Sequence, residues 1–353
     1  MDRRVFLENI GLIAAGLCLP SEGIAGGIPV PPDNFSSKLK PVGRALELEG
    51  YYVWCSSPID GDDGKVHLFF SRWSTSKGMG GWIRGSEIAH AVADTPESPF
   101  TVVGTVLAPR PGYWDATTCH NPLICRDNDK YYLFYMGNSN GKTDTKRIGL
   151  AVSDSLYGPW KRSDQPLLNA GLEGSWDDHC TTNPAFIRHP NGKYCLYYKS
   201  WNTKEYQQGS GAIRGNRKYG VAFADSPEGP YTKYDGNPVI DFSARGNNCQ
   251  FEDAFIWREK RKFRIIARDM GYYNHENGLL MQSKDGLKWT PPEIAYEGLA
   301  KYTELPPAPA HLKKYGRLER PMLLIRKNKP AYLFGAAQGG KYNTSSTFIF
   351  RIG

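Results

Sequence analysis

The sequence predicts an all-β fold, a five-bladed β-propeller, from three observations. First, YWDATTCHNPLICRDNDKYYLFYMG over 113–137 matches SWDDHCTTNPAFIRHPNGKYCLYYKS over 175–200, with Trp114-Asp115 on Trp176-Asp177 and Asn121-Pro122 on Asn183-Pro184. Second, the same apolar strand, charged turn and second strand recur as SSPIDGDDGKVHLFFSRW, EDAFIWREKRKFRIIARD and ERPMLLIRKNKPAYLFGAA, making five copies. Third, the copies are evenly spaced: counting from Pro58, the equivalents Pro122, Pro184, Ala254 and Pro321 follow at 64, 62, 70 and 67 residues. Near-regular units around a centre are the mark of a propeller, and five lies in its usual range.

Each unit continues into a third strand, a tight turn and an aromatic-led fourth strand: SEIAHAVADTPESPF, RIGLAVSDSLYGPW, KYGVAFADSPEGPY and GLLMQSKDGLKW. The fifth unit ends at Ile352 after only three strands. The segment 45–52 is therefore expected to supply the missing outer strand and remove an exposed edge.

Ahead of the repeats, Asp2-Arg3-Arg4-Val5-Phe6-Leu7 precedes an apolar stretch from Ile10 to Leu19, too short to span a bilayer, and small residues at Gly23-Ile24-Ala25. Residues 1–26 read as an export signal of twin-arginine type, with an ordinary secretory signal as the alternative. Residues 27–44 read as a linker and 45–353 as a single propeller domain. A periplasmic or secreted protein follows, with no membrane attachment once the signal is removed. Cys55, Cys119, Cys125, Cys180, Cys195 and Cys249 contain no CxxC pair, so no structural zinc site is signalled, while that compartment admits disulfides.

Composition excludes other classes. With 23% charged and 40% hydrophobic residues among 353, the chain can build a core and is not disordered. A net charge of +8 favours an anionic ligand, yet no run of like charges forms a nucleic-acid arm, so no nucleic-acid partner is expected. The aromatic share of 13% supplies pleated surfaces and walls for sugar rings. Oligomeric state is not legible.

In a meander, the strand 1–2 turns lie at one end and the strand 1 starts and strand 2–3 loops at the other. The former are short and polar, so Asp60, Asp62 and Asp63 are assigned to a solvated face. The latter are long and bring Arg72, Trp73, Trp82, Trp201, Tyr206, Arg214, Tyr272, Tyr273 and His275 to one rim. Twelve cations, Arg72, Lys77, Arg84, Lys142, Lys146, Arg147, Lys199, Lys204, Arg214, Arg217, Lys218 and Lys341, stand there against Glu87, Asp144, Glu205, Asp269 and Glu276, and Arg320 adds a cation at the axis, which favours a uronic acid or sulfate on the substrate. The two residues before each Pro equivalent are Ser56-Ser57, His120-Asn121, Thr182-Asn183, Glu252-Asp253 and Glu319-Arg320. Five polar pairs at strand entrances, diverged in chemistry, mark a reaction centre.

These features, with the NP-hydrophobic…GK-Y-LYY strings and the A-D-S-P-x-G-P turn, resemble the five-bladed propeller glycoside hydrolases, especially families 43, 32 and 117, over about residues 45–353. The resemblance implies an Asp base or nucleophile at the first-blade entrance, an orienting Asp on a middle blade and a Glu acid on a later one. Glu252 falls at the acid position, whereas Ser57 and Asn183 stand where the families place carboxylates. Family 117 is similar in using a His-Glu pair, whose residue types recur at His275-Glu276. The catalytic candidates are thus Glu252, Asp253, His120 and His275. The substrate-binding candidates are Ser57, Arg72, Trp73, Asn121, Asp177, His179, Asn183, Trp201, Asp269, Glu319 and Arg320. Glu252 and Asp253, as neighbouring carboxylates, are expected to raise one pKa between them. No ligand spacing signals a metal; the resemblance leaves open a divalent cation such as calcium near His120, His179, Asp177 and Asp178.

The leading reading is an exported, exo-acting glycoside hydrolase on an oligosaccharide of plant or algal type. A polysaccharide lyase and an inactive carbohydrate-binding propeller are the alternatives.

Overall fold

A computed structural model describes residues 35–210, 214–246 and 249–353; the expected export signal and the start of the linker lie outside them. Inner strands bury both faces against neighbouring blades, which is why LFYM and CLYY tolerate aromatics on both sides. Outer strands alternate: Thr101–Leu107 exposes every second residue.

The strands form five antiparallel four-stranded sheets, four of them in sequence order. Blade 1 holds β2 (Tyr51–Asp60), β3 (Val66–Ser74), β4 (Glu87–Ala93) and β5 (Thr101–Leu107). Blade 2 holds β6 (Thr118–Asp127), β7 (Lys130–Asn138), β8 (Arg147–Ser153) and β9 (Lys161–Arg162). Blade 3 holds β10 (Thr182–Arg188), β11 (Tyr194–Ser200), β12 (Lys218–Ala224) and β13 (Thr232–Lys233). Blade 4 holds β14 (Gln250–Glu259), β15 (Lys262–Met270), β16 (Gly278–Ser283) and β17 (Glu293–Tyr296). Blade 5 holds β18 (Glu319–Arg326), β19 (Lys329–Gly339) and β20 (Thr344–Ile352), with β1 (Leu39–Leu46) as its outer strand.

The ring is closed by β1, which pairs with β20 from Leu39↔Ile352 to Leu46↔Thr347. The expected segment 45–52 is displaced: the closing strand begins at Leu39, inside the expected linker, and Tyr51 and Tyr52 already belong to β2. Gly50, at φ 76, makes the turn between them. On the hairpin face, blades are joined by Asp60–Arg326 at 2.7 Å, Asp62–Arg126 at 2.6 Å and Asp127–Arg188 at 3.5 Å. The six described cysteines are free thiols.

The shared Trp-Asp string is a blade staple. Trp114 stacks on Tyr135 at 5.4 Å and Trp176 on Tyr198 at 5.7 Å. A Cβ at Gly149 would overlap the Trp114 ring and one at Gly220 would lie 2.7 Å from Trp176, so both stacks require glycine beneath them. Asp115 accepts from Tyr135 Oη at 2.9 Å and Arg162 at 3.2 Å, and Asp177 from Tyr198 Oη at 2.9 Å and Lys233 at 2.6 Å. Each Asp thus ties the second strand to the outermost one. The expectation that Asp177 binds substrate is corrected accordingly.

Candidate active site

Every inner strand starts with the same irregularity. Register slips between Trp54/Ser57, His120/Leu123, Thr182/Ala185, Glu252/Phe255 and Glu319/Met322, so two residues oppose one on the second strand. Inside these bulges Cys55, Asn121, Asn183, Asp253 and Arg320 have φ of 54, 56, 51, 62 and 55°. Asn and Asp visit this region readily; Cys and Arg do so only where surroundings hold them. The blade 1 equivalent of Asn121 is therefore Cys55, two residues before the position that alignment on Pro58 indicates. Ser57 lies in the regular ladder, and its Oγ accepts from the Ile124 amide at 3.1 Å, joining blades 1 and 2. It is not a ligand-facing residue, which corrects that expectation.

The five bulge residues meet on the axis. Cys55 Sγ donates to Asn121 Oδ1 at 2.8 Å, Asn121 Nδ2 to Asn183 Oδ1 at 2.8 Å, and Asn183 Nδ2 to Asp253 Oδ1. Arg320 donates to Asp253 Oδ1 at 3.1 Å, and its guanidinium lies beside the Cys55 thiol, completing the circle. Burial pushes that thiol up, away from the thiolate form. Four hydrogen bonds thus join the five side chains into a floor across the channel.

The residues before the bulges are Trp54, His120, Thr182, Glu252 and Glu319. Glu252 is met by Lys199 Nζ, by Arg217 at 2.7 Å and by Arg268 at 3.7 Å. Arg268, its ladder partner on β15, also reaches Glu319 at 3.1 Å, and Lys314 reaches Glu319 at 3.4 Å. Burial favours the neutral acid, but Arg217, Lys199 and Arg268 together hold Glu252 well below the usual carboxylate range. The expected elevation by Asp253 is not found: the bulge sends Asp253 into the axial ring, where Arg320 and Asn183 engage it. This also corrects the expectation that Asp253 is a catalytic group.

His120 lies 5.6 Å from both Trp73 and Trp82, with Nδ1 2.9 Å from Ser86 Oγ and Nε2 3.7 Å from Cys55 Sγ. Burial, then Arg320 and Lys146, hold its pKa well below the ordinary value. It is a neutral wall residue and a weak base, in contrast to the catalytic expectation. His179 stacks between Trp201 at 5.2 Å and Tyr206 at 4.5 Å, with Nε2 2.9 Å from Thr143 Oγ1. Burial and the neighbouring Lys146 push it down to about 4.

Other candidates serve the scaffold. Arg72 pairs with Glu87 at 2.8 Å and reaches Thr105 at 3.0 Å, binding β3, β4 and β5 together. Trp73, 1% exposed, packs on Tyr52 and donates to the Gly78 carbonyl at 3.0 Å. Asp269 accepts from the amides of Gly271, Tyr272, Tyr273 and Asn274 at 2.7–3.0 Å, folding the β15–β16 loop. Its expected role in substrate binding is corrected to that of a loop cap. His275 sits in that loop with Nδ1 buried and without a partner among the described residues, and Glu276 reaches Arg317 at 3.9 Å, so neither joins Glu252. Trp201 is 2% exposed and forms the inner wall, while the half-buried Trp82 is available to a sugar face. Asn121, Asn183 and Arg320 make up the floor and Glu319 the pocket wall.

A cation near His120, His179, Asp177 and Asp178 finds no ligand set. The histidines are bound to hydroxyls and a thiol, Asp177 is held by Tyr198 and Lys233, and no cluster of three ligating side chains occurs among the described residues. The chief site residues outside the candidate set are Lys146, Lys199, Arg217 and Arg268. The signal for Lys199 and Arg268 was a lone cation in an apolar strand, CLYYKS and RIIARD.

The family model described as "Glycosyl hydrolases family 32 N-terminal domain" matches residues 120–306. No curated protein matches the chain. Among solved structures, Zg3597, a family 117 glycoside hydrolase produced by the marine bacterium Zobellia galactanivorans, shares 19% identity over 89% of both chains, with a TM-score of 0.64. CoXyl43, a GH43 β-xylosidase/α-arabinofuranosidase from a compost microbial metagenome in complex with xylotriose, gives 0.59 at 16% identity over 89% of this chain and 93% of its own. The GH43_1 enzyme from Xanthomonas citri complexed with xylotriose gives 0.58 at 15% identity over 88% and 89%. The three share the five-bladed fold with this chain.

Proposed function

Because this chain belongs to the glycosyl hydrolases family 32 N-terminal domain family and is a glycoside hydrolase, we propose that it removes a sugar from an oligosaccharide end, outside the cytoplasm. The observation that carries the exo-acting reading is the closed floor: five residues bond across the axis, so a sugar chain entering from the loops meets a dead end. Export is supported by Arg3-Arg4 and the apolar stretch behind them. Among the described residues no helix is long and apolar enough to cross a membrane.

Glu252 is proposed to protonate the leaving oxygen and Glu319, linked to it through Arg268, to be the second carboxylate of the pair. In the free site three cations keep Glu252 ionised. Substrate binding must therefore draw cationic charge away before this carboxyl carries a proton, a requirement that couples recognition to catalysis. Cys55 and Asn183, in place of carboxylates, favour a second reading as a binding propeller.

End-labelled oligosaccharides incubated in heavy-oxygen water test both readings. Release of single sugars from one end, each carrying the heavy oxygen, is expected. Internal fragments would overturn the exo reading, unchanged oligosaccharide would favour the binder, and cleavage without label would indicate elimination. Replacing Arg3-Arg4 by two lysines should retain the protein in the cytoplasmic fraction; unchanged export would exclude a twin-arginine route.

A further inference from the structure

Among the described residues the ammonium of Lys146 has no anionic partner. The residue ends the β7–β8 connection, where its carbonyl accepts from the Thr181 amide at 3.1 Å and from Arg147 at 2.8 Å, so its backbone is fixed. Its side chain is buried, with the residue 4% exposed, and Nζ lies 4.5 Å from the Trp201 ring centre and 5.8 Å from that of Trp82. These rings supply a cation–π surface but accept no conventional hydrogen bond. The carboxylate of Glu252 is already engaged by Lys199, Arg217 and Arg268. Five cations, Lys146, Lys199, Arg217, Arg268 and Lys314, thus face two carboxylates, Glu252 and Glu319. The Nε of Arg217 is also buried without an acceptor among the described residues. Buried polar groups are normally paired, so this excess of donors and positive charge suits the cluster to binding an anion.

We infer that Lys146, with Arg217 and Lys199, forms an anion subsite that takes the carboxylate or sulfate of a sugar lying against Trp82. The inference rests on the glycosidase reading and names its substrate class. The sugar's apolar face covers the indole and its oxyanion fills the gap between the three cations. An anion there competes with Glu252 for Lys199 and Arg217, the redistribution that an acid role for Glu252 requires. Burial and the neighbouring cations lower Lys146 to about 8, so the subsite weakens as the ammonium deprotonates above that pH.

The test is equilibrium binding to the full chain of glucuronate, glucose 6-sulfate and glucose, at constant ionic strength and at pH 6.5 and 9.5. The expected result is binding of at least one anion at least ~10-fold tighter than glucose, the scale of one charge-assisted contact, and weaker at pH 9.5. Glucuronate and glucose 6-sulfate distinguish a carboxylate from a sulfate ligand. Lys146→Met is expected to abolish the preference and Lys146→Arg to restore most of it. Should Lys146→Met fail to fold, Arg217→Met, at the half-buried edge, serves instead. Equal affinity for the three sugars, or a preference unchanged in the methionine variant, would overturn the subsite. Hydrolysis is scored separately: anion binding without turnover overturns the enzyme reading alone, and turnover of neutral glycosides without anion preference overturns the subsite alone.

Discussion

Arg320 donates to the Asp253 carboxylate at 3.1 Å on the propeller axis, although 67 residues separate them. That contact divides two neighbouring carboxylates between two tasks. Asp253 turns inward at positive φ to complete the floor, while Glu252 faces the pocket and its cations. A flat strand would have sent them to opposite faces; the bulge places both at the same end.

Glu252→Gln is expected to lower turnover on a natural glycoside by roughly two to four orders of magnitude, the scale of a lost general acid. The loss should be much smaller with an aryl glycoside whose leaving group needs no proton. Equal losses on both substrates would reassign Glu252 to base or nucleophile, and wild-type rates on both would remove it from the mechanism. A lower melting temperature is also expected, since three cations lose a buried partner.

Asp177→Ala should behave oppositely. Losing the acceptor for Tyr198 and Lys233 is expected to cost about 2–4 kcal/mol in stability, measured by urea unfolding. Turnover per folded molecule should stay close to wild type. A selective fall in turnover with unchanged stability would return Asp177 to the active site.

Acid should destabilise the fold well above the carboxylate range. His179 is pushed down to about 4 by burial and Lys146, and His90 to about 4 by burial and His67, against an ordinary value of 6.5. Between these values the unfolded chain binds protons that the native chain does not. Stability therefore falls as pH drops from about 6.5 toward 4. Glu252, held low by its cations, adds a further loss below about 4.3. Melting temperatures measured from pH 8 to 4 should trace this decline, and His90→Phe should flatten part of it. A flat profile down to pH 5 would contradict neutral buried histidines.

Removing residues 1–46 deletes β1 and leaves β20 as an open edge. A lower melting temperature and concentration-dependent aggregation are expected, read by light scattering. A truncated chain as stable and monodisperse as the full one would mean that the closing strand contributes little.

The sequence by itself determined the blade count, the meander order and the polar strand entrances of blades 2 to 5, because these follow from local periodicity and a repeat that needs no knowledge of contacts. It also indicated Glu252, a carboxylate at a strand entrance, and the need for a closing strand after Ile352. Only the tertiary structure decided the register of blade 1, since Pro58 sits two residues beyond the bulge and mimics the anchor of the other blades. Only it showed that Trp114-Asp115 and Trp176-Asp177 are staples, because a buried Asp looks the same in sequence whether its partner is a tyrosine and a lysine of the same blade or a sugar. The cation cluster around Glu252 was hidden for the same reason. Lys146, Lys199, Arg217 and Arg268 come from three blades, and their convergence is fixed by bulges and ladder registers rather than by spacing along the chain.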